Sequence, residues 1–205
     1  MKSDPKFITL EGVDGAGKST CMRFIKKYLT DKKLNYLFTR EPGGTSVGEK
    51  LRKILLHDEM LPETETLLMF SARNEHVHQI IKPNLNAGLI VISDRFTDAT
   101  YAYQSGGKNV QLEKITILKN WVHENLKPDL TLLFDLPIDI SLSRLNSDGN
   151  LDKFEKEAAD FHTRIRESYL ALAKNEPDRF QIINSNQNIN IIEKEILNKL
   201  DKLFL

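Results

Sequence analysis

A glycine-rich stretch near the start of the chain reads Gly12-Val13-Asp14-Gly15-Ala16-Gly17-Lys18-Ser19. It fits the pattern G-x-x-x-x-G-K-[ST], which is typical of a loop that wraps around the phosphates of a nucleoside triphosphate. An apolar segment at 7–10 predicts a strand before the loop, and the pattern from Thr20 onward predicts a helix after it. An ordinary glycine-rich turn is the alternative, and the strand and helix on either side argue against it.

The chemistry of such a loop assigns roles to its residues. Its backbone N–H groups and the positive end of the following helix attract phosphate. Lys18 is expected to bridge the β- and γ-phosphates, and Ser19 to hold Mg²⁺. The predicted ATP-binding residues are Gly12, Val13, Asp14, Gly15, Ala16, Gly17, Lys18, Ser19 and Thr20.

Short apolar runs alternate with longer helical patterns along the chain. Strands are predicted at 7–10, 36–39, 89–93, 129–136 and 180–184. Helices are predicted at 20–31, 47–56, 63–85, 112–126, 138–145, 154–174 and 189–204. This alternation predicts an α/β fold of the P-loop NTPase type, a three-layer fold with a five-stranded parallel sheet and helices on both faces. Right-handed crossovers then place the active site at the carboxyl ends of the strands.

Length and composition narrow the class further. The 205 residues suit one domain, over 1–205, and the 29 basic residues balance 29 acidic ones. Proteins that bind nucleic acid or membrane surfaces usually carry a basic excess, so neither partner is expected. No apolar run reaches the ~20 residues of a membrane span, and residues 1–5 lack the apolar core of a secretion signal. We expect a cytoplasmic protein with small-molecule partners.

Charged residues follow two of the predicted strands. Arg40 directly follows the second strand, and Asp94-Arg95 directly follows the third. Such residues are solvated by default, but an arginine can bind phosphate with two parallel hydrogen bonds, and Asp94 can hold Mg²⁺ or its water shell. Two arginines beside a phosphate loop indicate a second phosphorylated ligand that faces the γ-phosphate.

Three blocks of sequence resemble one known family. They are EGVDGAGKST at 11–20, TREPGGT at 39–45, and DRF at 94–96 with AYQ at 102–104. In this order they resemble the bacterial thymidylate kinases, whereas adenylate kinases have a different phosphate loop and no REPGG block. The resemblance implies transfer of the γ-phosphoryl group of ATP to dTMP with Mg²⁺. It also implies a homodimer packed through the helices after the second strand.

The resemblance implies a role for each matching residue. Arg40 and Arg95 would hold the dTMP phosphate, Arg52 would assist, and Asp14 would lie near the acceptor and the metal. The implied dTMP-binding residues are Arg40, Glu41, Arg52, Phe70, Arg73, Arg95, Thr100, Tyr103 and Gln104. The implied metal-binding residues are Ser19, Asp94 and Asp14.

The base and sugar contacts are also implied by the resemblance. Phe70 would stack on thymine, Arg73 would bind the O4 atom of the base, and Thr100 and Gln104 would bond the base. Tyr103 would pack on the sugar and disfavour a 2′-hydroxyl group. The alternative for Phe70 is a core position, because it shares a helical stripe with Leu67, Val77 and Ile81.

The interior of the phosphate loop, residues 13–16, contains no basic residue. Family members of this subgroup supply arginines from a lid, which the resemblance places at about 144–156. Residues 144–153 read RLNSDGNLDK, so only the two ends are basic, and the polar stretch at 146–152 is a candidate mobile loop. Arg144 is the first candidate for γ-phosphate stabilisation and Lys153 the second. The predicted catalytic residues are Lys18, Arg95, Asp14 and Arg144.

Two other functions compete with this prediction. One is a P-loop kinase for another nucleoside or nucleotide, although paired arginines favour an acceptor that already carries phosphate. The other is a GTP-binding switch, because residues 198–201 match the guanine-binding pattern N-K-x-D. That pattern should end a strand, but here it lies in the helix predicted at 189–204, and no D-x-x-G switch follows a strand. We interpret it as a solvated helix face.

Overall fold

A parallel sheet forms the centre of the computed structural model, which describes residues 4–146 and 151–204. Its strands are β1 (Phe7–Glu11), β2 (Tyr36–Arg40), β3 (Ile90–Asp94), β4 (Leu130–Asp135) and β5 (Phe180–Asn184). They lie in the order β2-β3-β1-β4-β5, and every pair is parallel. Successive strands are added on one side of β1 up to β3 and on its other side from β4 onward. Such a reversal of strand order opens a crevice at the carboxyl ends of the strands.

Helices connect the strands and cover both faces of the sheet. They are α1 (Lys18–Asp31), α2 (Ser46–His57), α3 (Pro62–His76), α4 (Lys82–Asn86), α5 (Thr97–Thr100), α6 (Leu112–Val122), α7 (Ile138–Asn146), α8 (Ala159–Asn175) and α9 (Ile189–Phe204). Two π-helical segments, Val77–Ile81 and Tyr101–Gly107, continue α3 and α5. The three central strands β1, β3 and β4 are buried almost throughout because both of their faces are covered.

The predicted fold class is confirmed, and the differences are local. The helix predicted at 63–85 contains the π-helical segment Val77–Ile81, and the helix predicted from residue 154 begins at Ala159. The short helix α5 and the segment Tyr101–Gly107 were not predicted, because their apolar residues lack helical spacing. Of the candidate mobile loop at 146–152, residues 147–150 lie outside the described residues. Over the ranges that are described, no helix has both the length and the apolar character to cross a bilayer.

A core substitution tests the importance of the central strands. Leu132 in β4 has no solvent exposure, so Leu132→Ala removes buried methyl groups and leaves a cavity. We expect the free energy of unfolding, measured by urea denaturation, to fall by about 2–5 kcal/mol. Ile182→Ala is the control, because this aliphatic side chain on β5 is 46% exposed, and it should cost less than about 1 kcal/mol. Equal losses for the two variants would contradict the assigned burial.

Candidate active site

The glycine-rich loop lies between β1 and α1, as the sequence predicts. Gly12, Gly15 and Gly17 have φ values of 135°, 74° and 89°, a region that other residues rarely adopt. A Cβ atom at Gly12 would overlap the Phe134 carbonyl oxygen of β4. The Lys18 ammonium group donates to the carbonyl oxygens of Gly12 and Val13, both at 3.0 Å. The loop therefore curls around its own lysine at the carboxyl end of the central strand β1.

Arg95, which directly follows β3, links this loop to the opposite side of the crevice. Its Nη2 donates to the Asp14 carboxylate and, at 2.8 Å, to the Tyr103 hydroxyl. Its Nη1 donates to the Tyr169 hydroxyl at 3.2 Å, and the Tyr103 hydroxyl donates to Asp14 at 2.7 Å. Burial opposes ionisation of Asp14, but Arg95 and Lys18 outweigh it and hold the pKa of this carboxyl below its usual value.

Glu11, the last residue of β1, holds Arg95 in place from the core. Its carboxylate accepts hydrogen bonds from the Phe96 N–H and the Tyr169 hydroxyl, both at 2.7 Å. Arg95 has φ of 69°, a sparsely populated conformation for a residue with a side chain, and the bond to Phe96 fixes the backbone there. Burial, reinforced by Asp98, raises the pKa of Glu11 to about 8, although Arg95 and the two hydrogen bonds act in the opposite direction.

A second arginine, Arg73 of α3, is buried beside this cluster. Its Nε donates to Glu41 at 2.7 Å, and its Nη2 donates to the Thr100 hydroxyl at 3.0 Å and the Phe96 carbonyl oxygen at 3.2 Å. Its Nη1 is buried and has no partner among the residues that the structure describes. Buried donors are nearly always satisfied, so this atom points to an acceptor on a ligand.

Two cavities meet at this cluster. An open cavity of about 1120 Å³ runs along the glycine-rich loop and is also lined by Arg40, Asp94 and Arg144. A narrower pocket is lined by Arg73, Thr100, Tyr103 and Gln104. Four residues line both: Asp14, Glu41, Arg52 and Arg95. The arrangement suits two ligands whose charged ends meet beside Arg95.

A family model for thymidylate kinase matches residues 10–196. The chain belongs to the thymidylate kinase family. A thymidylate kinase from Methylobacillus flagellatus is 54% identical over 192 residues, which cover 94% of this chain and 95% of the relative. A thymidylate kinase from Neisseria meningitidis serogroup B is 50% identical over 202 residues, or 98% of both chains. The crystal structure of thymidylate kinase from Ehrlichia chaffeensis matches with a TM-score of 0.78 at 32% identity, over 96% of this chain and 98% of that one.

The structure brings most of the predicted phosphate-binding residues to one place. Arg40 is exposed at the wall of the open cavity, where its Nη2 donates to Glu49 at 2.8 Å. Arg52 lies beside it and donates to the Pro42 carbonyl oxygen at 2.9 Å. Both guanidinium groups thus line the same cavity as Arg95, and Glu49 and the Pro42 carbonyl oxygen hold them there.

The predicted stacking residue occupies a different position from the one expected. Phe70 is buried in a cluster with Val110 and Ile115, and the Arg73 guanidinium lies over its ring at 4.7 Å. It is absent from the walls of the narrow pocket, where the preceding residue, Met69, is found. In the structure Phe70 therefore occupies a core position, as the alternative interpretation has it. Its ring packs against the Arg73 guanidinium.

The two lid candidates also differ in their surroundings. The Arg144 Nη1 donates to the Gly15 carbonyl oxygen at 3.1 Å, which places this guanidinium beside the phosphate loop. The Lys153 ammonium group instead contacts Glu65 at 2.8 Å and the Asp58 carbonyl oxygen at 2.8 Å. The structure does not bring Lys153 to the phosphate loop.

Several site residues were missed by sequence reasoning. Tyr169 and Ser141 reach the site from helices distant in sequence, and Ser141 donates to the Asp14 carbonyl oxygen at 2.6 Å. Met69 lines the narrow pocket, but its side chain lacks the aromatic ring that marks a stacking residue in a sequence. Of these residues, Glu11 is the one that a sequence signal could have identified. It is an acidic residue at the end of a mostly apolar strand, where a carboxyl group needs a buried partner.

The raised pKa of Glu11 predicts a pH-dependent stability. The folded chain binds a proton at Glu11 more tightly than the unfolded chain, whose pKa is near 4.5. The associated stability is present below pH 4.5 and is lost as the pH rises through about 8. We expect this group to lower the free energy of unfolding by a few kcal/mol over that window. Urea denaturation at several pH values should show a smaller decrease for Glu11→Gln, and an unchanged pH dependence would contradict the assignment.

Proposed function

We propose that the chain transfers the γ-phosphoryl group of ATP directly to the phosphate of dTMP. The observation that supports it best is Arg95, which lies where the cavity of the phosphate loop meets the pocket of Arg73. Membership of the thymidylate kinase family supplies the identity of the acceptor. Two phosphorylated ligands that meet at one guanidinium suit in-line transfer, which needs positioning and charge stabilisation but no covalent protein intermediate.

On the donor side, residues 12–20 bind the ATP phosphates through backbone N–H groups. Lys18 exchanges its two carbonyl partners for the β- and γ-phosphates. Asp94 and Ser19 line the same cavity, and the Asp94 Oδ1 is buried without a hydrogen-bond partner in the described part of the chain. Hard oxygen donors of this kind fit Mg²⁺, with Asp14 close by. When bound, the ion supplies charge neutralisation on the phosphates.

On the acceptor side, Arg95 holds the dTMP phosphate, and Arg40 and Arg52 approach it from the β2 side. Glu41 holds Arg73, whose unpaired Nη1 is free to donate to the O4 atom of thymine. Thr100 and Gln104 line the pocket around the base. Tyr103 lies with its hydroxyl between Asp14 and Arg95, where the sugar joins the phosphate.

We place this chain in the subgroup whose lid supplies the charge that the phosphate loop lacks. Arg144 supports this assignment, because its guanidinium already lies against the Gly15 carbonyl oxygen. We propose a single domain over 1–205 with a lid at about 144–156. Closure of the lid would bring Arg144 onto the γ-phosphate and exclude water from the transfer.

We also propose a homodimer. The helices α2, α3 and α6 pack side by side and, together with Leu61 directly before α3, carry exposed apolar side chains: Val47, Ile54, Leu67, Leu112, Ile117 and Trp121. Exposed apolar surface on neighbouring elements is typical of a protein interface. A second copy of this chain is the partner that the family resemblance implies.

The competing functions have less support. Residues 198–201 lie within α9, and Asp201 accepts a hydrogen bond from the Tyr28 hydroxyl at 2.8 Å, so the N-K-x-D pattern does not form a guanine site. A nucleoside kinase would not need Arg40 and Arg95 beside the acceptor pocket.

A panel of acceptors tests the proposed reaction. With ATP and Mg²⁺, we expect ADP release with dTMP and little with AMP, CMP or thymidine, measured in a coupled assay. Arg95→Ala should lower kcat/KM for dTMP by at least about 100-fold, because it removes a charge that faces the transferred phosphate. Arg23→Ala is the control, because Arg23 is exposed on α1 and should retain activity. Comparable rates with dTMP and CMP would contradict the assigned base.

Sedimentation velocity tests the homodimer. Trp121 is 79% exposed, so Trp121→Glu should leave the fold intact but place a charge in the proposed interface. We expect a dimer for the unaltered chain and a larger monomer fraction for the variant. Ile182→Glu on β5 is the control and should remain dimeric. A monomeric unaltered chain would rule out the proposal.

A further inference from the structure

A buried carboxylate beside the narrow pocket has no role in the phosphoryl transfer described above. Glu65, in the first turn of α3, has no solvent exposure. Its Oε2 contacts the ammonium groups of Lys108 at 3.0 Å and Lys153 at 2.8 Å. Its Oε1 accepts a hydrogen bond from the Gln104 Nε2 at 3.0 Å. Burying one acid with two lysines is costly unless the group is fully bonded, as Glu65 is.

The carboxylate dictates how the Gln104 amide is oriented. An amide has a donor end and an acceptor end of nearly the same shape, so only its hydrogen-bond partners can fix its orientation. Glu65, held between two ammonium groups, can only accept hydrogen bonds. Gln104 must therefore turn its NH₂ group to Glu65, which leaves the Oε1 acceptor on the side of the pocket that Gln104 lines.

The resulting pair of polar groups matches one edge of a pyrimidine. Arg73 presents an unpaired donor, Nη1, and Gln104 presents an acceptor, Oε1. Thymine and uracil carry an O4 acceptor next to an N3–H donor, which complements this pair. Cytosine carries the reverse order, an amino donor next to an unprotonated N3, so both groups would be left unsatisfied against it.

We propose that Glu65 is a positioning residue that sets pyrimidine specificity through the Gln104 amide. This inference rests on the proposed dTMP site. Lys108 and Lys153 both pair with the carboxylate, and both ammonium groups lie against the Phe154 ring, at 4.9 Å and 5.2 Å. Phe154 lines the same pocket, so the cluster also fixes the wall that the proposed lid contributes.

The test is the ratio of kcat/KM for dTMP to kcat/KM for dCMP. Glu65→Gln keeps the volume but can donate to Gln104 while its own oxygen faces the lysines, so the Gln104 amide is free to turn over. We expect the ratio to fall roughly 10- to 100-fold, with loss on dTMP and gain on dCMP. Equal loss on both acceptors, which is what a merely structural role predicts, would overturn the inference.

Lys108→Met is the matched control. It disturbs the same buried cluster but leaves an acceptor-only carboxylate against Gln104, so the ratio should stay within about threefold of the unaltered chain. A ratio that falls as far as in Glu65→Gln would overturn the inference. The unaltered chain is assayed first, and failure to use dTMP there would overturn the proposed function itself, separately from any effect of the variants.

A swapped pair keeps the inference testable if Glu65→Gln does not fold. In the double variant Glu65→Gln with Gln104→Glu, volumes and net charge are unchanged, and the carboxylate now faces the pocket as an obligate acceptor. We expect the double variant to retain the preference for dTMP over dCMP. Loss of that preference in a folded double variant, shown by its circular dichroism spectrum, would overturn the inference.

Discussion

The site depends on the contact between the Arg95 guanidinium and the Asp14 carboxylate. Asp14 belongs to the loop of the proposed donor site, and Arg95 follows the neighbouring strand at the proposed acceptor site, so this one ion pair joins the two halves of the crevice. Parallel pairing of β1 with β3 brings Leu10 opposite Asp94, which aligns the two strand ends. Tyr103 and Tyr169 then fix the guanidinium plane from the other sides.

A charged cluster of this kind is stable only when each member is paired. Moving a lone charge into a protein interior costs several kcal/mol, and only close partners offset it. Glu11, below Arg95, and Glu65, below Gln104, are both buried acids that each support a residue of the proposed dTMP site. The polar groups on the crevice surface are thus oriented by a layer of buried carboxyl groups beneath them. Such support reduces the reorganisation that phosphate transfer requires.

The sequence predicted the elements with strong periodicity and the residues within contiguous motifs. The five strands, the phosphate loop and the arginines at the ends of β2 and β3 lie where their patterns placed them. Phe70 shows the limit of such reasoning, because a one-residue difference around a helix decides whether Met69 or Phe70 faces the pocket. Tyr169 and Glu65 could not be found in the same way. Their roles arise from contacts between segments that are far apart in the chain, and no local sequence pattern encodes such contacts.

The account of two ligands that meet between Lys18 and Arg95 is tested most directly by a bisubstrate compound. Adenosine and thymidine joined through a polyphosphate chain should bind with one molecule per chain, measured by titration calorimetry. It should bind far more tightly than ADP or dTMP alone, because a single molecule would fill both cavities without a second loss of translational freedom. Binding no tighter than ADP alone, or undiminished binding in the presence of saturating dTMP, would show that the two cavities do not form one reaction site.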